Sequence, residues 1–543
     1  MNELGRLFEN AENSSTITLE ENKIYHVYQD DAFLLTSFYC SNTAKKHENP
    51  DGLRRVAIFL EDKKNIIING NNATLLIHGK MTPLLFHRCE NITVKNLIID
   101  YARPTMTEFT VLKSEGEVCE IRINEDCPYR VEDNSIFWLG EKDKNGVPYW
   151  EDTHNGQGRY FKIFDPKTEI STDYSRNHFT LTKVEELERN ILRLHFEKSE
   201  NAFPEGCVVQ TRSIVRDQTG SLFERCKNLE FENLRIKFMH GLGMVSQFCE
   251  NVTYKNCDLT PAEGRTITST ADFFQFSGCK GNLIVENCKA RGAHDDYINV
   301  HGTHLRIVEK NDEKYTITVR FMHPESWGFQ AFEADDELDF IKWNTLIPYA
   351  NTKVTDYERL NDTDILLRLD RPLPNIEPGK DVVENATWTP NLYVKNCDFG
   401  PTSGRGILCT TRGEVIIENN RFHNLWGPAL LIEDDCNFWF ESGYTREIIF
   451  RNNTVTNCDY TGMWDGSPSI RYTPKVMDEN SKEFVHGKLV LKNNIFRNTR
   501  SDKHRIHLEY LKEAEITDNI FDKAYEIVEK YVGKITDKNN ITQ

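Results

Sequence analysis

Short runs in which apolar residues alternate with polar ones, each closed by asparagine, recur along this chain. They are NIIING at 65–70, NITVKN at 91–96, NLEFEN at 228–233, NVTYKN at 251–256 and NLIVEN at 282–287. NLYVKN at 391–396, EVIIEN at 414–419, EIIFRN at 447–452, KLVLKN at 488–493 and AEITDN at 514–519 complete ten copies. The alternation has a period of two, and the apolar positions favour Val, Ile and aromatic residues, so each copy predicts a β-strand. Helical periodicity is missing, as is the LxxLxL signature of leucine-rich repeats. Seven of the nine start-to-start spacings lie between 23 and 41 residues, and the other two are 137 and 109. A strand ending in asparagine at that interval describes one coil of a parallel β-helix, with successive coils about 4.8 Å apart.

The recurring residues Asn96, Asn233, Asn256, Asn287, Asn396, Asn419, Asn452 and Asn493 are expected to form an internal ladder at one coil corner. Asparagine tolerates left-handed backbone geometry and bonds across stacked coils. Cysteines share the register: Cys89, Cys226 and Cys249 sit two residues before a copy, and Cys257, Cys288 and Cys397 follow its closing Asn. They read as buried core thiols. The two long gaps contain strand-like runs such as EVCEIRI and YTITVRF and read as inserted antiparallel β modules, because structureless loops of that size are rare. The predicted organisation is all-β. N-terminal coils (1–100) lead to an inserted module (101–227), then central coils (228–300), a second inserted module (301–390), and C-terminal coils with a tail (391–543). The last 25 or so residues are polar and predict a short helix or a loose tail.

Composition narrows the function classes. The chain has 543 residues with a formal net charge of −18, which repels nucleic-acid backbones and anionic membranes. No apolar run approaches the length of a membrane span. The opening MNELGRLFENAENSST has neither a basic nor an apolar signal region. A cytoplasmic location is expected if this is the whole chain, and a periplasmic or secreted one if a signal peptide has been removed. The 14 cysteines form no CxxC pair. No phosphate-cradling glycine loop or nucleophile elbow is present. Oligomeric state is not legible.

The densest chemistry lies in STADFFQFSGCKGN and ARGAHDDYINVHGTH. Asp272 precedes Asp295 by 23 residues, the shortest coil spacing, so Asp272, Asp295 and Asp296 are expected on adjacent rungs. Three such carboxyls cannot all ionise comfortably, which suits a general acid beside a general base. One rung plus a lateral offset reaches the carboxyl spacing of about 6.5–9.5 Å used by inverting glycosidases. Both Asp295 and Asp296 face a cleft only if the chain bends there. Like charges on its companions are expected to raise Asp295. Arg265 and His294 lie nearby and are expected to bind substrate. His294, His301 and His304 with Asp296 could hold a metal, but no recognised ligand spacing supports one. A second acidic cluster, Glu433, Asp434 and Asp435 with Glu441, is bracketed by Trp426 and Trp439. Carboxylates and aromatic faces together suit sugar recognition.

These segments, together with RRVAIFLEDKKNIIINGNNATLLIHG, GLGMVSQ and RGILCTTRGEVIIENNRFHNLWGPALLIEDDCNFWFESG, resemble glycoside hydrolase family 110. Its members are bacterial α-1,3-galactosidases acting on blood-group-B-type structures. The resemblance covers roughly residues 54–470. It implies a right-handed β-helix with inserted barrel-like modules, an inverting mechanism without metal or other cofactor, and a galactose-containing oligosaccharide or glycan as partner. It also implies that Asp272, Asp295 and Asp296 are catalytic, with Asp295 as acid and the other two activating water. Two alternatives stay open: a β-helical hydrolase or lyase of acidic polysaccharide, and a non-catalytic carbohydrate-binding solenoid.

Overall fold

The computed structural model describes residues 3–154, 159–173, 180–197, 203–460 and 468–543. The repeated runs are strands, and they stack in parallel. Lys227–Glu232 lies between Glu90–Lys95 and Glu250–Lys255, and the series continues through Lys280–Glu286 and Asn391–Lys395. Apolar positions of each run point inward, as with Leu229, Phe231, Leu283 and Val285, all essentially inaccessible. Their burial contributes about 1.5–3 kcal/mol per side chain. Each coil has two further faces. One carries short strands such as Arg235–Ile236 and Asp258–Leu259. The other carries Met244–Gln247, Phe274–Ser277, Ile298–Thr303 and Ile407–Cys409, stacked in that order. The molecule is therefore a parallel β-helix. Helix Glu3–Glu9 covers its first coils with Leu4 and Phe8, both buried in the main core. Among the described residues no helix is long and apolar enough to cross a membrane.

Two modules leave this stack between adjacent coils. Strand Ile98–Tyr101 pairs with Arg235–Ile236 across the first. That module carries an antiparallel sheet of seven strands which, among the described residues, does not close on itself. Lys280–Glu286 pairs with Asn391–Lys395 across the second, which closes into a six-stranded antiparallel barrel.

Two expectations need correction. The eight corner asparagines do adopt left-handed backbone geometry, with φ between 53° and 59°. Their amides also bond from coil to coil, Asn233 to Asn96 at 3.1 Å and Asn396 to Asn287 at 3.2 Å. However, they stand on the outer corner, seven of them exposed and Asn96 half-buried. A left-handed residue turns the chain, and it is the next side chain that points inward. That inner position holds Cys257, Cys288 and Cys397, and then a buried ladder of Asn420, Asn453, Asn494 and Asn519. The C-terminal segment is neither helix nor tail. Tyr525–Lys538 is a strand paired along its length with His504–Thr517, because Ile527, Val532 and Ile535 pack on the core. All 14 cysteines are buried and free, as expected of core thiols.

The two ladders make a testable contrast. Asn494 accepts the Asn453 amide N–H at 2.9 Å and donates to the Phe450 carbonyl at 2.9 Å. Asn494→Ala leaves these groups buried and unpaired and is expected to cost about 1–3 kcal/mol. Asn493→Gly keeps the left-handed corner and is expected to stay within about 0.5 kcal/mol of wild type. Paired thermal melts distinguish the two.

Candidate active site

The site forms where three successive rungs abandon regular strand geometry. Residues 268–273, 293–297 and 402–406 bend before entering strands Phe274–Ser277, Ile298–Thr303 and Ile407–Cys409. The bends stack: Phe273 N–H donates to the Asp296 carbonyl at 3.0 Å, and Tyr297 N–H to the Arg405 carbonyl at 3.2 Å. In each of the first two, an aspartate is followed by an aromatic ring that points inward. Phe273 and Tyr297 stack with centroids 5.3 Å apart, and Phe399 continues the column at 5.2 Å. The rings fix the register, and Asp272 and Asp296 are turned the opposite way. Backbones here are crowded. A Cβ on Gly404 would lie 1.9 Å from the Asp295 carbonyl oxygen, and one on Gly243 2.2 Å from that of Asp272, so only glycine fits above and below the aspartates.

One oxygen from each of Asp272, Asp295 and Asp296 lies within 4.8 Å of the others. This is closer than the separation expected from the sequence. The Asp296 N–H donates to Asp272 Oδ1 at 3.1 Å, which draws Asp272 onto the next rung with little lateral offset. Arg405 grips both Asp296 oxygens, at 2.5 and 2.9 Å, and reaches Asp295 Oδ1 at 3.2 Å. Arg216, arriving from the first module, holds Asp295 Oδ2 at 3.1 Å. Burial and the charges of Asp295 and Asp296 push Asp272 well above the carboxylate range. Burial, opposed by Arg405, leaves Asp296 at about 7. For Asp295, burial is outweighed by Arg405 and Arg216, with Lys162 and Arg212 behind them, and it sits below its ordinary value. The expected upward shift of Asp295 is thus reversed, because the sequence did not show the guanidinium groups that converge on it.

Among the described residues this trio is placed tightly enough to hold a cation. Both oxygens of Asp295 and of Asp296 already meet guanidinium N–H groups, so the positive charge there is built in. The trio lines a pocket of about 380 Å³. Its floor is the outward column of the stacked strands, Gln275, Asn299 and Leu408, in register. Asn42, Glu433, Asp435, Trp439, Glu441, Arg471 and Lys475 complete the lining. Among the described residues, Gln275 Oε1 and Asn299 Oδ1 are buried acceptors without a partner.

Comparison with known proteins places this architecture. Residues 316–383 match the GLAA-B beta-barrel domain II, and residues 385–473 match the right handed beta helix region. The chain is 35% identical to "Alpha-1,3-galactosidase A" of Bacteroides fragilis over 89% of its own length and 78% of the relative's. It is 38% identical to "Alpha-1,3-galactosidase A" of Akkermansia muciniphila over 80% and 71%. It is also 30% identical to that of Bacteroides thetaiotaomicron over 93% and 87%. The chain belongs to the alpha-1,3-galactosidase family.

Within this family member the structure sorts the residues expected to bind substrate. Glu433, Trp439 and Glu441 line the pocket. Glu433 pairs with Lys475 at 2.7 Å, and Glu441 accepts from Asn42 at 2.6 Å. Asp434 is buried behind the wall, bonded to His304 at 2.8 Å. Its neighbour Asp435 takes the wall position and caps the 437–439 amides. Arg265 is outside the pocket, tied to Glu108 and Asp126 of the first module. His294 is buried between Gln210 and Arg212. Burial, Lys162 and Arg212 hold it far below its ordinary value, hence neutral. Trp426 also lies outside the lining; it follows strand Arg421–Leu425 on a different face.

Sequence reasoning missed Arg405, Gln275 and Asn299, although coil register carried the signal. Arg405 follows Asp296 by 109 residues, the same interval that separates the copies flanking the second insertion. Arg216 and Asn42 come from an insertion and from the N-terminal excursion, where no periodicity points to them.

The two tryptophans separate cleanly. Trp439 is 47% exposed and packs on His323, centroids 4.5 Å apart. Trp439→Ala is expected to raise KM about five- to tenfold, from roughly 1 kcal/mol of lost ring contact. Trp426→Ala is expected to leave KM unchanged. Initial-rate kinetics on an α-1,3-galactoside check both.

Proposed function

We propose that this chain is an exo-acting, inverting hydrolase of glycoside hydrolase family 110 that releases terminal α-1,3-linked galactose from an oligosaccharide or glycan. The observation that carries the reading is the carboxylate trio on adjacent rungs lining a walled pocket. The activity in its relatives' names supports the sugar and linkage. The pocket also favours a neutral sugar over a uronate. Gln275 Oε1 and Asn299 Oδ1 suit hydroxyl donors and would repel a carboxylate. Three of the four cations in the lining, Arg216, Arg405 and Lys475, are already engaged by acids.

In this mechanism Asp272, whose side chain accepts the Asp296 N–H and on which burial and two like charges outweigh the arginines, holds the proton and delivers it to the leaving oxygen. Asp295, ionised and 31% exposed at its side chain, activates water with Asp296 beside it. Carboxyl oxygens this close can share a single water, whose bonds to each are about 2.7 Å. Placing the acid on Asp272 departs from the assignment that the family resemblance implies, and the charge pattern is the reason. A second reading, double displacement through a covalent glycosyl–enzyme, is favoured by the close carboxyl spacing, since retaining enzymes use about 5–5.5 Å.

Asp→Asn at each position is expected to lower kcat about 10²–10⁴-fold on a natural disaccharide with the fold intact. An activated aryl leaving group should restore Asp272→Asn and leave Asp295→Asn inactive. The opposite pattern returns the acid role to Asp295. First-formed β-galactose by NMR supports inversion, whereas α-galactose establishes the second reading. EDTA is expected to leave turnover unchanged; loss on chelation, restored by Ca²⁺, would point to the polysaccharide-lyase alternative.

A further inference from the structure

The first inserted sheet reaches into the catalytic rungs with a group that the acid–base chemistry does not use. Lys162, on strand Arg159–Asp165, is only 5% exposed. Its ammonium donates to the His294 carbonyl at 2.5 Å and the Ser403 carbonyl at 3.0 Å. Those carbonyls belong to the residue before Asp295 and to the residue two before Arg405. On the neighbouring strand Val208–Ser213, Gln210 and Arg212 hold the His294 ring from either side, at 2.9 and 3.2 Å. Arg212 Nε can only donate, so His294 Nδ1 accepts and Nε2–H donates to Gln210.

The bends need this support. Strand ladders fix the stack below them, but between 293–297 and 402–406 the ladder gives way to individual ties: Ser403 N–H to the Ala293 carbonyl at 3.3 Å, Tyr297 N–H shared between the Arg405 and Gly406 carbonyls at 3.2 and 3.1 Å, and the Thr402 and Ser403 hydroxyls to the Ala293 carbonyl at 2.7 and 3.2 Å. A buried ammonium is costly unless its donors find acceptors, and here two of its acceptors are carbonyls on successive rungs. We infer that Lys162 is a positioning residue that clamps the Asp295–Asp296 bend to the Arg405 bend from outside the β-helix. The inference rests on the acid–base reading above. The inserted sheet then completes the active site instead of merely decorating the solenoid.

Charge gives a readout that a purely structural role would not move. The groups facing Asp295 are Asp272, Asp296, Arg405, Arg216, Lys162 and Arg212, with Glu325 also within electrostatic reach. Removing the ammonium removes a positive charge that keeps Asp295 ionised, so the acidic limb of the rate profile must move to higher pH. Lys162→Met is expected to lower kcat about 10- to 100-fold, the scale of a small misplacement of reacting groups, with KM within about twofold and the acidic limb shifted upward. Lys162→Arg, which keeps charge and donors, should recover most of the rate and the original limb. Should Lys162→Met not fold, Lys162→Gln carries the same test, since it removes the charge but keeps an amide donor. Asp295→Asn is measured alongside. If it is inactive while the uncharged Lys162 variant keeps normal kcat and pH limb, the clamp is wrong and the catalytic reading stands. If Asp295→Asn turns over normally, the catalytic reading itself fails. Equal losses in the Arg and uncharged variants with an unmoved limb also overturn the clamp.

Discussion

Everything in this molecule depends on the fixed spacing of stacked parallel rungs. Backbone hydrogen bonding holds neighbouring coils about 4.8 Å apart, so residues remote in sequence but equal in register become contacts. Asp272 and Asp296 meet in that way, and so do Asp296 and Arg405 across an inserted barrel. The inward column of Phe273, Tyr297 and Phe399 keeps the rungs that carry the carboxylate trio in phase where the strands give way to bends. Gly243 and Gly404 let the rungs on either side close up to the same spacing.

Close stacking also creates the electrostatic problem that the site turns to use. Three carboxyl groups within 4.8 Å, two of them buried, cannot all carry charge in so poorly solvated a place. Arg405 and Arg216 resolve this unevenly. They hold Asp295 ionised, while at Asp272 burial and the two neighbouring carboxylates outweigh the same arginines and drive it toward its neutral form. In the proposed mechanism a proton and a base then coexist one rung apart. The imbalance comes from where the arginines originate, one from the next coil and one from an inserted module.

The insertions therefore contribute contacts at the candidate site as well as bulk. The first supplies Arg216 and the Lys162, Gln210 and Arg212 contacts. The second lies against the N-terminal excursion, where Ser326 bonds Asn42 at 2.8 Å, and Asn42 in turn holds Glu441 at the pocket wall. A solenoid face alone is an open groove. These additions wall it into a pocket.

The sequence by itself determined the β-helix, because period-two alternation and a near-constant coil length are local properties that each copy carries whole. It also determined the carboxylate trio, since Asp272 and Asp295 are separated by one unbroken coil. The same register logic, carried across the second insertion, would have reached Arg405. Only the tertiary structure decided which side of the corner the asparagines occupy, because one left-handed residue shifts the inward position by one. Likewise it alone decided that Arg265, His294, Asp434 and Trp426 stand outside the pocket while Arg216 and Asn42 stand within it. Their positions follow from how inserted modules and long excursions pack back on the solenoid, and packing between segments without a shared period leaves no trace in residue spacing. The ionisation of Asp295 belongs to the same class: it is set by charges 79 and 110 residues away, which only the folded chain brings to its side.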